Sequence, residues 1–149
     1  MVHPGASNSI PDRVNLQIDI RDIALSPRDR VLNAVMEAGA AVAAKRNIKV
    51  RSETLNADPP AAMSPAIVEA ITAACTWLGM PNQRMVSRAY HDSLYMARLC
   101  PTGMIFIPCR DGVSHRPDEF ASSEAITKGV HVLALTLARL ASDENAGQS

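Results

Sequence analysis

Gly103-Met-Ile-Phe-Ile-Pro-Cys109 leads into Gly112-Val-Ser-His-Arg-Pro-Asp-Glu119, and Ser87-Arg-Ala-Tyr-His-Asp92 precedes both. The run from Met104 to Ile107 is short and wholly apolar. Such a run fits a strand covered on both faces in a parallel sheet. In sheets of that kind, ligands bind in the loops at the carboxyl ends of the strands. His115 falls in the loop that follows, beside Ser114 and close to Asp118 and Glu119, so the reading is an α/β fold with its polar chemistry at that strand end.

Outward from this segment, the pattern predicts alternating elements. Ser64-Pro65 starts a helix whose apolar face is Ile67, Val68, Ile71, Cys75 and Leu78, with Gly79 as its stop. Strand-like pieces are expected at 84–87 and 103–107. A last helix is expected from near Ser123, with Ile126, Val130, Leu133, Leu137 and Leu140 as its apolar stripe and a frayed polar tail from Ser142. Met85, Met96 and Met104 read as core filling.

Towards the amino terminus the pattern changes. Residues 3–12 are rich in Pro, Gly, Ser and Asn and read as loop. Val14, Leu16, Ile18 and Ile20 then alternate with Asn15, Gln17, Asp19 and Arg21, which predicts a half-buried strand. Ser26-Pro27-Arg28-Asp29 has the features of a helix start, with Ser26 as N-cap. Val31, Leu32, Val35, Met36, Val42 and Ala43 give that helix an apolar face, and 48–55 resumes alternation. The paired prolines of Asn56-Ala-Asp-Pro-Pro60 mark a boundary. Two domain portions are expected, residues 1–57 and 58–149.

Composition narrows the functional classes. Fifteen basic and fifteen acidic residues give a formal charge of zero, and only five residues are aromatic. Neither nucleic acid nor an anionic membrane surface has an electrostatic or stacking reason to bind. No apolar stretch approaches membrane-spanning length, and no signal-peptide pattern opens the chain. Cys75, Cys100 and Cys109 lack metal-motif spacing, and Cys75 reads as core.

Taken by residue chemistry alone, several sites have two readings. A neutral imidazole on a strand-end loop suits a first-row cation, yet His115 is equally an ordinary loop histidine. Glu119 reads as the acceptor that orients His115 or as a helix-start acid. The planar fork of Arg21 suits a carboxylate ligand, or simply Asp19 or Asp22. His91 and Asp92 line a pocket or cap the next helix. Arg88 pairs with a substrate carboxylate or with Asp92.

The strings quoted above resemble the carboxyl-terminal part of the plant-type ureidoglycolate amidohydrolases. These belong to the dinuclear-metal group that includes allantoate amidohydrolases, N-carbamoyl-amino-acid hydrolases, acylases and aminopeptidases. The resemblance runs from His3 to Leu140. It implies a fold class of α/β: the end of a small α+β dimerisation (lid) domain, then the carboxyl-terminal part of an α/β metallohydrolase catalytic domain. It also implies that His115, in Ser114-His115-x-Pro117-x-Glu119, is the final metal ligand, with Glu119 behind it. Asn8, in Asn8-Ser-Ile-Pro11, and Arg21 would bind substrate across a homodimer formed through the first domain. Tyr90 and His91 would line the pocket, His91 with a catalytic role on the oxyanion or the substrate carboxylate. Tyr90 stands where many relatives carry glycine, which favours a small, polar substrate.

The implied activity is metal-dependent hydrolysis of ureidoglycolate to glyoxylate, ammonia and carbon dioxide, with allantoate or an N-carbamoyl amino acid as the alternative substrate. Two Mn²⁺ per intact site are expected, with Zn²⁺ as the other candidate, and the plant-type enzymes point to the endoplasmic reticulum. The early HxD and paired-Glu segments of the family have no counterpart here. The expectation is therefore a portion of an enzyme, inactive alone. The rival is a non-catalytic dimerisation module.

Overall fold

The structure, a computed structural model, describes residues 1–146. The chain divides into two compact units, Met1–Pro60 and Ala61–Ser149. It is mostly helical, with one small sheet.

In the first unit, β1 (Val2–His3) and β2 (Arg13–Val14) pair antiparallel, with Val2 opposite Val14 and His3 opposite Arg13. The pairing extends by one residue, since the Asn15 amide donates to the Met1 carbonyl at 2.8 Å. The expected strand over 14–20 goes no further. Beyond Asn15 its residues belong to no strand, and Val14, Leu16 and Ile18 are exposed. Alternation tells which side chains share a face, but a strand also needs a neighbour some 4.8 Å away to take its amides and carbonyls. Among the described residues no strand pairs with 16–20, nor with 48–55, 84–87 or 103–107.

Helix α1 spans Leu25–Arg46. Ser26 is not its N-cap, because the helix already begins at Leu25. The turn before it is fastened instead by Asp22, whose Oδ1 accepts from the Ala24 amide at 3.1 Å. Ser26 lies inside the helix and accepts from Arg30 at 3.0 Å. Lys45 and Arg46 suit the negative end of the helix dipole, and Asn47, at φ 50°, stops it in the left-handed conformation. Leu32, Val35, Gly39 and Ala43 are half-buried, whereas Val31, Met36 and Val42 are exposed. The expected apolar face is thus wider than the covered one. Arg28 ties the end of this unit down, donating to the Asp58 carbonyl at 2.8 Å.

The second unit is built on α2 (Pro65–Trp77) and α4 (Ser123–Ala146), which pack on each other. Ser64 is the N-cap of α2 and Pro65 its first residue, as the sequence predicts. Gly79, at φ 64°, ends it with two bonds: its amide donates to Thr76 and that of Met80 to Cys75, a Schellman closure that needs a residue without Cβ strain. Ser122 starts α4, its Oγ accepting from the Ala125 amide at 3.1 Å. Between them lie a single turn, α3 (Ser93–Met96), and the extended run 103–107.

The core is Ala74, Cys75 and Val132, backed by Ile71, Leu78, Met80, Ile105 and Leu135. Cys75 is core, as read. The covered face of α4 differs from the expected one. Ala125, Val132 and Thr136 are buried, while Ile126, Val130, Leu133 and Leu137 are exposed. The helix carries apolar residues on two sides, and α2 meets the side of small residues, where backbones approach closely. Nor does the helix end near Ser142; it continues to Ala146. Met85 and Met96 are exposed and fill no core; Met104 is half-buried and accepts from Ser93 Oγ at 2.9 Å.

Candidate functional site

Two constellations of the second unit hold the residues singled out there from the sequence. The first centres on His91, in the turn that enters α3. Its Nε2 lies 2.7 Å from Ser87 Oγ. Its ring packs on Phe106, with centroids 5.6 Å apart. The extended run is therefore not covered equally on both faces. Ile105 and Ile107 are half-buried, while Phe106, 47% exposed, turns the other way and takes the imidazole. Asp92 is the N-cap residue of α3, though its side chain makes no capping bond. Tyr90 Oη meets Tyr95 Oη at 2.8 Å, the rings stand edge to face, and Arg98 lies over the Tyr95 ring. Ser87, Phe106 and Tyr95 were not singled out from sequence for these contacts. The i, i+4 spacing of Ser87 and His91 was the available signal.

The second constellation is the loop 110–120, closed at its neck and bearing His115 near its tip. The Arg110 amide donates to the Phe120 carbonyl at 2.8 Å, and the Arg110 guanidinium stacks over the Phe120 ring at 4.3 Å. Arg116 and Asp118 form an ion pair at 2.7 Å. Asp111, Gly112 and His115 all have φ between 56° and 64°. For a non-glycine residue that conformation costs about 1–2 kcal/mol. At His115 (φ 58°) it is met by Glu119, whose Oε2 accepts from the His115 amide at 2.8 Å. Glu119 thus orients His115 through the backbone, with no recorded bond to the ring. It is not a helix-start acid either, since α4 begins at Ser123. Replacing Glu119 by alanine removes that acceptor. We expect amide exchange at His115 to rise about tenfold, one hydrogen bond's worth, with little change in global stability.

His115 is exposed, and among the described residues no three metal-binding side chains converge. One exposed imidazole is chemically suited to a first-row cation but is not by itself a site. A groove of about 340 Å³ lined by Ala62, Ser64 and residues 97–102 includes neither His91 nor His115.

In the first unit, Asn8 is exposed in the turn between β1 and β2. Arg21 grips Asp19, with Nη2 to Oδ2 at 2.6 Å and Nε to both oxygens at 3.0 Å. That hydrogen-bonded guanidinium holds the Asp19 carboxyl below its ordinary value and raises Arg21 in turn. Because the folded-state value is the lower one, the pair contributes stability above the ordinary carboxylate range and loses it as pH falls through the depressed value. Thermal unfolding of Asp19→Asn should therefore differ from that of the unaltered chain at neutral pH and coincide with it in acid. Both partners are exposed, so the difference will be small.

The model of Peptidase family M20/M25/M40 matches residues 3–139, and the chain belongs to that family. A ureidoglycolate hydrolase of Arabidopsis thaliana is 46% identical over 143 residues, covering 95% of this chain and 30% of that protein. An N-carbamoyl-L-amino acid amidohydrolase of Geobacillus stearothermophilus is 38% identical over 143 residues, covering 96% of this chain and 35% of its own length. The crystal structure of AtUAH in complex with glyoxylate superposes with a TM-score of 0.87 at 46% identity, over 94% of this chain and 33% of that one. The chain spans about a third of the length of the relatives it matches.

Proposed function

We propose that this chain supplies the carboxyl-terminal part of a dimeric, metal-dependent amidohydrolase that converts ureidoglycolate to glyoxylate, ammonia and carbon dioxide. In this reading residues 1–57 end its dimerisation domain and residues 58–149 end its α/β catalytic domain. The observation that carries the substrate is the graded likeness, 46% to a ureidoglycolate hydrolase against 38% to an N-carbamoyl-amino-acid hydrolase.

Each residue then has a task. His115 contributes one ligand to a Mn²⁺ centre, with Zn²⁺ the other candidate. A cation held there supplies Lewis-acid polarisation and lowers the pKa of water. Asn8 and Arg21 take the substrate carboxylate across the dimer, Arg21 exchanging Asp19 for it with the same planar fork. His91 donates to the oxygen on which charge develops, or to the carboxylate. Tyr90, anchored through its hydroxyl by Tyr95, fills space that a bulkier substrate would need.

The test is complementation. This chain alone, supplied with Mn²⁺, should not turn over ureidoglycolate. Joined to the amino-terminal two thirds of the Arabidopsis relative, it should do so in preference to allantoate and N-carbamoyl amino acids. A joined protein that prefers either competitor would overturn the substrate. A joined protein that folds as a dimer without activity or metal affinity would favour the dimerisation module. Within the active protein, Tyr90→Gly should lower ureidoglycolate turnover roughly tenfold or more, by opening the pocket.

A further inference from the structure

Gly129 lies inside α4, where local preference favours alanine over glycine. Its neighbour Ile107 explains the choice. A Cβ added at Gly129 would lie 2.6 Å from Ile107 Cγ2, well inside contact distance. That methyl sits on the branch at Cβ, and β-branched side chains turn about χ1 only at a cost. Ile105, on the same half-buried side of the run, packs against the core of Ala74, Cys75 and Val132. The run thus leads from the core to Gly129, nearer the start of α4, and from there into the loop 110–120. That loop closes at its neck between Arg110 and Phe120, and Ser122 then begins α4 through the Ala125 amide. Both legs of the loop that bears His115 are therefore keyed to one helix, the outgoing leg at Ser122 and the incoming leg at Gly129.

We propose that Gly129 is a positioning residue for the His115 loop. Lacking a Cβ, it lets Ile107 seat against the backbone of α4, just before the neck bond of Arg110. With alanine at 129, Ile107 must withdraw, and the incoming leg shifts against an outgoing leg still held by Ser122. The neck bond, at 2.8 Å, then opens more often, and with it the bond from the His115 amide to Glu119. The helix itself would gain from alanine, so the cost falls on the loop rather than on α4. The consequence for a cation rests on the role of His115 proposed above; the placement of the loop does not.

Amide exchange on the full chain reads the placement without turnover. In Gly129→Ala, exchange at the Arg110 amide should rise about tenfold or more. The amides of Cys75 and Thr136, in the core, should keep their rates. Ile107→Leu keeps the side-chain volume and moves the branch away from Cβ, so in the Gly129→Ala background it should restore the neck. An unchanged Arg110 rate in Gly129→Ala overturns the proposal. A rise shared equally by Cys75 and Thr136 does so too, since that is plain destabilisation, as does a rise that Ile107→Leu fails to reverse. Should Gly129→Ala fail to fold, Ile107→Ala empties the same seat and must loosen the neck while sparing the core. In the joined enzyme, Gly129→Ala should weaken Mn²⁺ binding about tenfold. If it does not, although His115→Ala releases the metal, the link from Gly129 to the cation is overturned. If the neck responds but His115→Ala leaves metal affinity intact, the metal role of His115 fails and the placement of the loop stands.

Discussion

Replacing His115 by alanine should abolish metal-dependent turnover in the joined enzyme, by well over ~100-fold, since even residues behind a metal ligand contribute about 10–100-fold. The effect is expected to be on the cation rather than on the fold. His115 is exposed, so loss of the ring should remove the proposed ligand at little cost to packing. One complication is conformational. Alanine tolerates φ 58° poorly, and part of any loss could then come from a displaced loop. His115→Asn separates the two causes, because asparagine enters the left-handed region several times more readily than most residues. Both variants should lose activity and release metal on dialysis, while His115→Asn should keep the neck bond between Arg110 and Phe120 protected from exchange. A His115→Ala enzyme that retained its metal and half its rate would remove this residue from the centre.

The second large effect is on stability. A Cβ added at Gly103 would lie 2.5 Å from Ile67 Cγ2, 3.3 Å from Ile71 Cδ1 and 3.4 Å from Ile67 Cβ. Ile67 cannot swing aside cheaply, since Cγ2 is fixed to its Cβ and χ1 of a β-branched residue in a helix is nearly locked. Nor can the backbone easily withdraw, because the neighbouring Thr102 carbonyl accepts from the Ser64 amide at 2.8 Å, at the start of α2. Gly103→Ala should therefore cost about 1–3 kcal/mol, the usual range for overpacking. That corresponds to a fall in Tm of roughly 4–8 °C per kcal/mol for a unit of this size. Removing the obstructing methyl should relieve the strain: in an Ile67→Ala background Gly103→Ala should cost clearly less. Equal costs in both backgrounds would mean that the segment had simply moved.

What the sequence makes legible here is whatever is decided within a few residues. The Ser64-Pro65 start and Gly79 stop of α2 are of this kind, since capping and left-handed closure need no distant partner. Ser26 misled because the helix starts at Leu25, behind a turn that Asp22 fastens through the Ala24 amide. The face of α4 was misread for another reason. Ile126, Val130, Leu133 and Leu137 form the bulkier stripe, but Ala125, Gly129 and Val132 allow the closer approach, and tertiary packing overrides hydrophobic bulk. The apolar run at 103–107 gives no hint that Phe106 is exposed opposite the half-buried Ile105 and Ile107, and the alternation at 14–20 marks a face that the structure leaves exposed. Neither pattern carries information on who pairs with whom. At the site, the strings around His91 and His115 are the segments in which the Ser87–His91 and Glu119–His115 bonds form. The Glu119 bond to the His115 amide is invisible because no pattern distinguishes a carboxylate aimed at a ring from one aimed at a backbone.

The extended segments with no ladder neighbour carry a consequence for the life of this chain in a cell. Residues 84–87 and 103–107 take part in no ladder among the described residues, and Ile126, Val130, Leu133 and Leu137 of α4 are exposed in the same unit. Open strand edges are templates for pairing with other chains. Synthesised by itself at high level, this chain should be a client of holdase chaperones and a preferred target of quality-control proteases. Its half-life would then lengthen in proportion to whatever chain occupies those edges.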